Sequence, residues 1–240
     1  MLFRSGYVYT GYGTRSITEV KTDIDLYDAY YNINGIFLDE ADNTTNHLAY
    51  YTNLYAYIKS RSNLTEVVIN PGIGTDKGYL YTPACDTAVI FEIDQGWPAY
   101  VPDNYVTNYP AERFCALLYN VTNEATMRQY VDLAVQRNVG YIYVTNDKGA
   151  NPWDSIPTYW TNLVNYVAAY RNLNIVSSGT GKLQLRTLPG HSWQVQYSSN
   201  LLNETWTTLT GGIASAEQLS ITDPDTENTP ARFYRLRIFQ

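Results

Sequence analysis

The chain is poor in the side chains that most often do chemistry near neutral pH. It holds two histidines and two cysteines in 240 residues. His47 lies in a Thr/Asn-rich stretch and His191 in a predicted turn. Neither has a Ser or Cys partner by position, so a nucleophilic triad is not indicated. Cys85 and Cys115 show neither metal-ligand nor redox spacing. They are expected as two buried thiols, with pairing open only in an oxidising compartment. No metal and no cofactor are expected. Charge is also sparse, 16% of residues, with 23 acidic against 16 basic groups. The resulting net charge of −7 argues against a nucleic-acid partner, whose phosphates call for clustered Lys and Arg. No apolar run approaches the ~20 residues of a transmembrane helix. The first residues lack the basic, apolar and cleavage segments of a signal peptide. Gly179–Lys182 lacks the first glycine of a phosphate loop, and Leu183 stands where the hydroxyl residue belongs.

Tyrosine, by contrast, is abundant: 24 residues. Such a ring stacks while its hydroxyl stays wet, so this enrichment points to a ligand surface or to a core whose hydroxyls reach its rim. The combination of low charge and many aromatics excludes a disordered chain. Four Asn-x-Thr sequons begin at Asn43, Asn63, Asn120 and Asn203, and they matter only in a secreted eukaryotic protein.

Residues 1–174 alternate short β-like runs with helical periods, the pattern of an α/β fold with a parallel sheet. Strands are predicted at Tyr7–Gly11, Gly35–Asp39, Glu66–Asn70, Thr87–Glu92, Arg113–Tyr119 and Gly140–Thr145. Ser16 and Glu19 have the spacing of a capping box. Behind them Ile17, Val20, Ile24, Tyr27 and Tyr31 follow an amphipathic period. Further helices are predicted at Asn46–Ser60, at Glu124–Arg137 and after Pro157. Six strands in one direction, each ending in a polar or Gly/Pro-rich loop, fit consecutive βα units. An eight-unit barrel takes ~250 residues. The alternatives are therefore an open six-stranded sheet or a TIM-barrel-like domain with six of eight units, and the start inside a strand favours the second. Residues 175–181 are expected as a linker. Residues 182–240 are expected as a small antiparallel β-sandwich, with strands at Lys182–Leu188, Ser192–Tyr197, Trp206–Leu209, Gln218–Thr222 and Arg232–Phe239.

The carboxylates are informative because of where they fall. Asp39 and Glu40 close the GIFLDE run and Glu92 closes TAVIFE. In parallel α/β folds such C-terminal strand ends line the active-site mouth. A carboxylate closing a buried apolar strand is costly unless hydrogen-bonded, paired or used. Two such groups are what glycosidic-bond hydrolysis requires, one attacking or stabilising the sugar cation and one protonating the leaving oxygen. The plainer reading is that they cap loops or pair with Arg15 and Arg113. Tyr12, Asn70, Tyr119, Asn120, Asn146 and Asp147 follow neighbouring strands and suit a sugar. The stretch from Asp94 to Ala111 carries Trp97, Tyr100, Tyr105 and Tyr109. A long loop without helical period is often functional. Its rings either stack on pyranose faces or pin the loop to the sheet.

Several of these motifs occur together and in order: Gly6–Arg15, Gly35–Glu40, Val68–Gly72, Val89–Glu92 and Gly140–Asp147, followed by Asn151–Asp154 and Pro157–Trp160. Over about residues 6–170 the chain resembles the spherulation-specific family 4 (spherulin-4-like) proteins, which include glycoside hydrolases of family 135. The resemblance implies a (β/α)8 barrel that here lacks its first two units. It also implies endo-hydrolysis of α-1,4-linked N-acetylgalactosamine polymers, by a retaining route. Carried over, Asp39 matches the nucleophile, Glu40 a supporting acid beside it, and Glu92 the acid/base. The implied partner is a polysaccharide, met outside the cell or at its surface by a monomer. The alternative is a non-catalytic matrix protein that holds polysaccharide through Trp97 and Tyr100.

Overall fold

Strands β1 (Ser5–Tyr9), β2 (Gly35–Asp39), β3 (Glu66–Asn70), β4 (Thr87–Ile93), β5 (Phe114–Leu118) and β6 (Tyr141–Val144) form one sheet in that order, every pair parallel. A computed structural model describes residues 4–171, 173–177, 181–203, 205–226 and 232–239. It divides into two compact units, Met1–Trp160 and Thr161–Gln240. Helices α1 (Ile17–Tyr30), α2 (Leu48–Lys59), α3 (Gly78–Tyr81) and α4 (Glu124–Gln136) connect successive strands of the first unit. α5 (Trp160–Arg171) starts at its last residue. Parallel neighbours need such crossovers, which is why strand and helix patterns alternate in the sequence.

One face of the sheet is apolar throughout. Val8, Ile36, Leu38, Val67, Ile69, Phe114, Ala116 and Val144 are all buried, together with Val20 and Ile24 of α1 and Leu54 and Ile58 of α2. On the opposite face the residues alternate in register as Tyr7, Phe37 and Val68, then Tyr9, Asp39 and Asn70. The helical period of α1 at Val20 and Ile24 is thus its sheet contact.

Several predicted boundaries move. Ser16 sits at the N-cap position of α1 but makes no side-chain cap bond, so the expected capping box is not formed. The first strand ends at Tyr9 because Thr10 turns inward. Its hydroxyl donates to the carbonyls of Asp39 and Glu40 and bonds the Tyr51 hydroxyl. The expected helix at Asn46–Ser60 begins as a 3-10 turn, Thr45–His47, before α2. The long loop after β4 contains 3-10 turns at Trp97–Ala99 and Asn104–Asn108. Cys85 and Cys115 are both free thiols, and burial pushes each up to about 12. Among the described residues no helix is long and apolar enough to cross a membrane.

The second unit contains two antiparallel three-stranded sheets. Strands β7 (Asn174–Ser177), β8 (Lys182–Arg186) and β11 (Gln218–Thr222) make one, in the order β11-β8-β7. β9 (Ser192–Ser198), β10 (Thr207–Ile213) and β12 (Phe233–Phe239) make the other, in the order β10-β9-β12. Residues 175–177 of the expected linker are therefore strand, paired to β8. Residues 178–180 lie outside the described residues. Leu183, Leu185 and Val195 are the buried centre, with Trp193, Ile221 and Leu236 packed on them.

Asp223 is fully buried in this unit and takes hydrogen bonds from Arg232, the Tyr234 hydroxyl and the Asp225 amide. Burial alone raises its pKa, but these donors together hold it below the ordinary carboxylate value. That stabilisation is present at neutral pH and is lost as pH falls through the lowered folded-state value. Asp223→Ala leaves the buried Arg232 only its longer pair with Asp225 and is expected to destabilise this unit by about 3 kcal/mol. Urea unfolding at pH 7 followed by Trp193 and Trp206 fluorescence measures it, and an unchanged midpoint would contradict the prediction.

Candidate active site

Asp39 and Asn70 are register partners at the ends of β2 and β3, so their side chains share the open face of the sheet. Glu92 reaches that face by a different device. Strict alternation from Val89 would turn it away, but the β4–β5 register slips between Val89 and Phe91. This bulge puts Glu92 opposite Leu117, on the face of Asp39. Bulges near functional sites re-aim side chains in this way. The three groups line one cleft of about 840 Å³ with Tyr7, Phe37, Leu117, Tyr143 and Trp153.

Asn70 joins the two acids. Its Nδ2 donates to Asp39 Oδ1 at 2.7 Å and to Glu92 Oε2 at 2.5 Å. Its Oδ1 accepts the Gly72 amide at 3.0 Å, which fixes the amide with its nitrogen toward the carboxylates. The two carboxylate oxygens are therefore no farther apart than the sum of the two donor distances. One oxygen of each acid thus lies nearer the other than the ~6.5–9.5 Å separation of inverting glycosidases. Gly72 has φ +72°, and a Cβ there would lie 3.7 Å from Glu92 Oε2, so the turn passes close against the acid. The Tyr7 hydroxyl donates to Asp39 Oδ2 at 2.6 Å. Burial and the neighbouring acid raise the Tyr7 pKa, keeping it protonated as a donor.

The acids are in different surroundings. Glu92 is raised above the ordinary carboxylate value, chiefly by burial and further by the charge of Asp39, against the hydrogen bonds from Asn70 and Trp153. Two carboxyl groups whose surroundings differ in this way, one raised by burial and one held by two neutral donors, are the arrangement that acid–base chemistry uses. Asn70→Ala removes a donor that favours ionised Glu92. The basic limb of a pH–rate profile is then expected to move to higher pH, with about a 10–100-fold loss of rate from the released geometry. An unmoved limb would show that Asn70 does not act on Glu92.

The remaining sequence-predicted residues are elsewhere. Glu40 adopts φ +49° just past the strand end and is exposed; it does not line the cleft, but its charge reaches Tyr7. Tyr12 lies in the tight turn at φ 54° whose amide donates to Glu40, and it is exposed rather than in the cleft. Trp97, expected as an exposed platform, is wholly buried. Its indole nitrogen donates to the Tyr130 carbonyl, and the ring stacks on Tyr100. Tyr100 packs on Phe91 and donates its hydroxyl to Ile90, so both rings pin the loop. Tyr119 packs edge-on against Trp153, one step behind the cleft wall. Asn146 accepts from Thr158 and Asp147 from Ser155. They fasten the loop that carries Trp153. Tyr7, Phe37, Tyr143 and Trp153 were missed as site residues. For Tyr7 and Phe37, strand parity with Asp39 was the available signal.

The sequence pattern of the spherulation-specific family 4 matches residues 5–167. Spherulin-4 of Physarum polycephalum is 42% identical over 112 residues, 46% of this chain and 31% of that protein. The chain thus spans less than a third of that relative's length. The crystal structure of Aspergillus clavatus Sph3 in complex with GalNAc is similar at a TM-score of 0.57 and 27% identity, over 68% of this chain and 71% of that one.

Proposed function

The chain belongs to the spherulation-specific family 4, and on that premise we propose that it is a retaining endo-glycosidase acting on α-1,4-linked N-acetylgalactosamine or galactosamine-containing polysaccharide. The observation that supports the reading is the Asn70 amide shared by Asp39 and Glu92, which draws the two carboxyl groups together on one face of the cleft. The GalNAc held by the Sph3 structure supports the choice of sugar. The six sequential parallel strands are read as six units of a (β/α)8-type barrel. The proposed setting is extracellular or at the cell surface. All the groups named come from one chain, so the chemistry needs no second copy.

In the first step a carboxylate oxygen of Asp39 bonds to the anomeric carbon as the glycosidic C–O bond breaks. Glu92 gives its proton to the departing oxygen. In the second step water attacks the anomeric carbon, Glu92 takes a proton from it, and the ester bond returns its electrons to Asp39. The net change is addition of water across the glycosidic bond, with Glu92 protonated again. Tyr7 and Asn70 stabilise the Asp39 carboxylate before and after the ester. Glu40 has no part in either step.

The binding-only alternative rested on Trp97 and Tyr100, and both rings are committed to packing. The direct test is incubation with an α-1,4 N-acetylgalactosamine polymer, scoring new reducing ends and their first anomeric form by NMR. Internal cleavage with initial α product is expected. An initial β product, or no cleavage by the full chain, overturns the reading.

A further inference from the structure

A second cleft, of about 660 Å³, opens at the same end of the sheet, between the loops that follow β2, β3 and β4. These are the strands that deliver Asp39, Asn70 and Glu92. The loops are tied together: the Asn43 amide donates to the Gly74 carbonyl at 3.2 Å, the Asp76 amide to the Asn43 carbonyl at 2.9 Å, and the Tyr105 hydroxyl to the Thr75 carbonyl. The cleft is thus built on cross-linked backbone rather than on loose loops. Into it come Lys77, Asp103 and Asn104, three exposed polar groups whose side chains form no hydrogen bond or ion pair within the described residues. The Tyr105 ring supplies an apolar wall.

Planar amide, carboxylate and ammonium groups set beside an aromatic ring fit a hydroxyl-rich pyranose, which needs both donors and acceptors around an apolar ring face. Position then decides which sugar. The wall from Gly72 to Gly74 runs between the two clefts. Gly72 lies against Glu92, while a Cβ at Gly74 would meet Asp103 Oδ2 at 2.9 Å. Two residues of chain span at most ~7 Å, so with the reach to Glu92 on one side and Asp103 on the other the clefts lie within a few sugar units of each other. Glu92 hands its proton to the leaving oxygen, so sugars beyond Glu92 belong to the leaving group.

We infer that the cleft between Lys77, Asp103 and Asn104 is a leaving-group-side subsite that binds a sugar residue of the polysaccharide within a few units of the cleaved bond. This rests on the proposed glycosidase reading and gives it a direction: the chain runs from the Tyr7 side, over Asp39 and past Glu92, toward Asp103. Binding energy realised there holds the leaving sugar in line with Glu92, as remote substrate contacts do in general.

The test compares two substrates: an α-1,4 N-acetylgalactosamine oligosaccharide series, and an aryl α-N-acetylgalactosaminide whose small leaving group cannot enter the cleft. In Asp103→Ala and Asn104→Ala the ratio of kcat/KM for long oligosaccharide to that for the aryl glycoside is expected to fall about tenfold, mostly through KM. The loss should first appear at the oligosaccharide length that fills the cleft. A ratio within twofold of the parent in both variants overturns the subsite. If the parent protein cleaves nothing, the glycosidase reading fails by itself. Titration calorimetry with the same oligosaccharides then decides the cleft: tenfold weaker binding in either variant supports it, and equal binding, or none by the parent, overturns it.

Discussion

Asp39→Asn is expected to reduce turnover of N-acetylgalactosamine polymer by roughly 10⁴–10⁶-fold, the scale on which loss of an enzyme nucleophile is felt. The amide keeps the size of the carboxylate and can still meet the Tyr7 hydroxyl, whose 2.6 Å bond otherwise goes to Oδ2. Folding is therefore expected to be nearly unchanged, and an unaltered thermal midpoint is the control. What is lost is the ability to form and release an ester at the anomeric carbon. The Asp39→Gly variant adds a sharper readout. With the side chain gone, azide fits in its place, and its attack should restore cleavage of an activated aryl glycoside with inversion, giving a β-glycosyl azide. Full activity in Asp39→Asn, or an azide product of retained configuration, would remove Asp39 from the nucleophile's role.

Glu92→Gln should cost about 10²–10⁴-fold on the polymer, the usual contribution of a positioned acid. The same variant should lose far less on an aryl glycoside whose phenolate departs without a proton. This leaving-group dependence separates an acid from a residue that only binds. The pH dependence gives a second check. Burial chiefly, and the Asp39 charge in addition, raise the Glu92 pKa. Its acid form therefore persists to higher pH than an ordinary glutamic acid, and polymer cleavage should fall as pH rises through that raised value. In Glu92→Gln the limb should vanish, because the amide does not titrate. A limb that survives the substitution would assign it to another group. Cys115 on the neighbouring β5 and Tyr143 of the cleft wall also titrate, but both are raised chiefly by burial, above the carboxylate range.

The acids were legible because of a local conflict. A carboxylate at the end of an apolar run such as GIFLD or TAVIFE contradicts the run it closes unless something engages it. The βα alternation was legible for the same kind of reason, since period-2 and period-3.6 patterns differ within a few residues. Aromatic loop residues carry no such mark. Trp97 and Trp153 both lie in Pro-containing loops, yet one is wholly buried and the other walls the cleft. The difference is made by what each loop folds against: Arg137 donates to the carbonyls of Trp97 and Pro98 and draws that turn onto the end of α4. Asp147 and Asn146 fasten the other loop so that its Trp reaches Glu92.

By itself the sequence determined the parallel α/β unit, the all-β unit after it, and the strands that end in Asp39, Asn70 and Glu92. Those features rest on periodicity and on short-range chemical conflict, which are written within a few residues. Only the tertiary structure decided that Glu92 faces Asp39, because the deciding bulge is a slip between β4 and β5 and leaves no local signature. It also decided that one amide bridges both acids, that Tyr7 completes the Asp39 environment, and that Glu40 turns away at positive φ. Each of these depends on register between segments 20 or more residues apart, and register is a property of the assembled sheet.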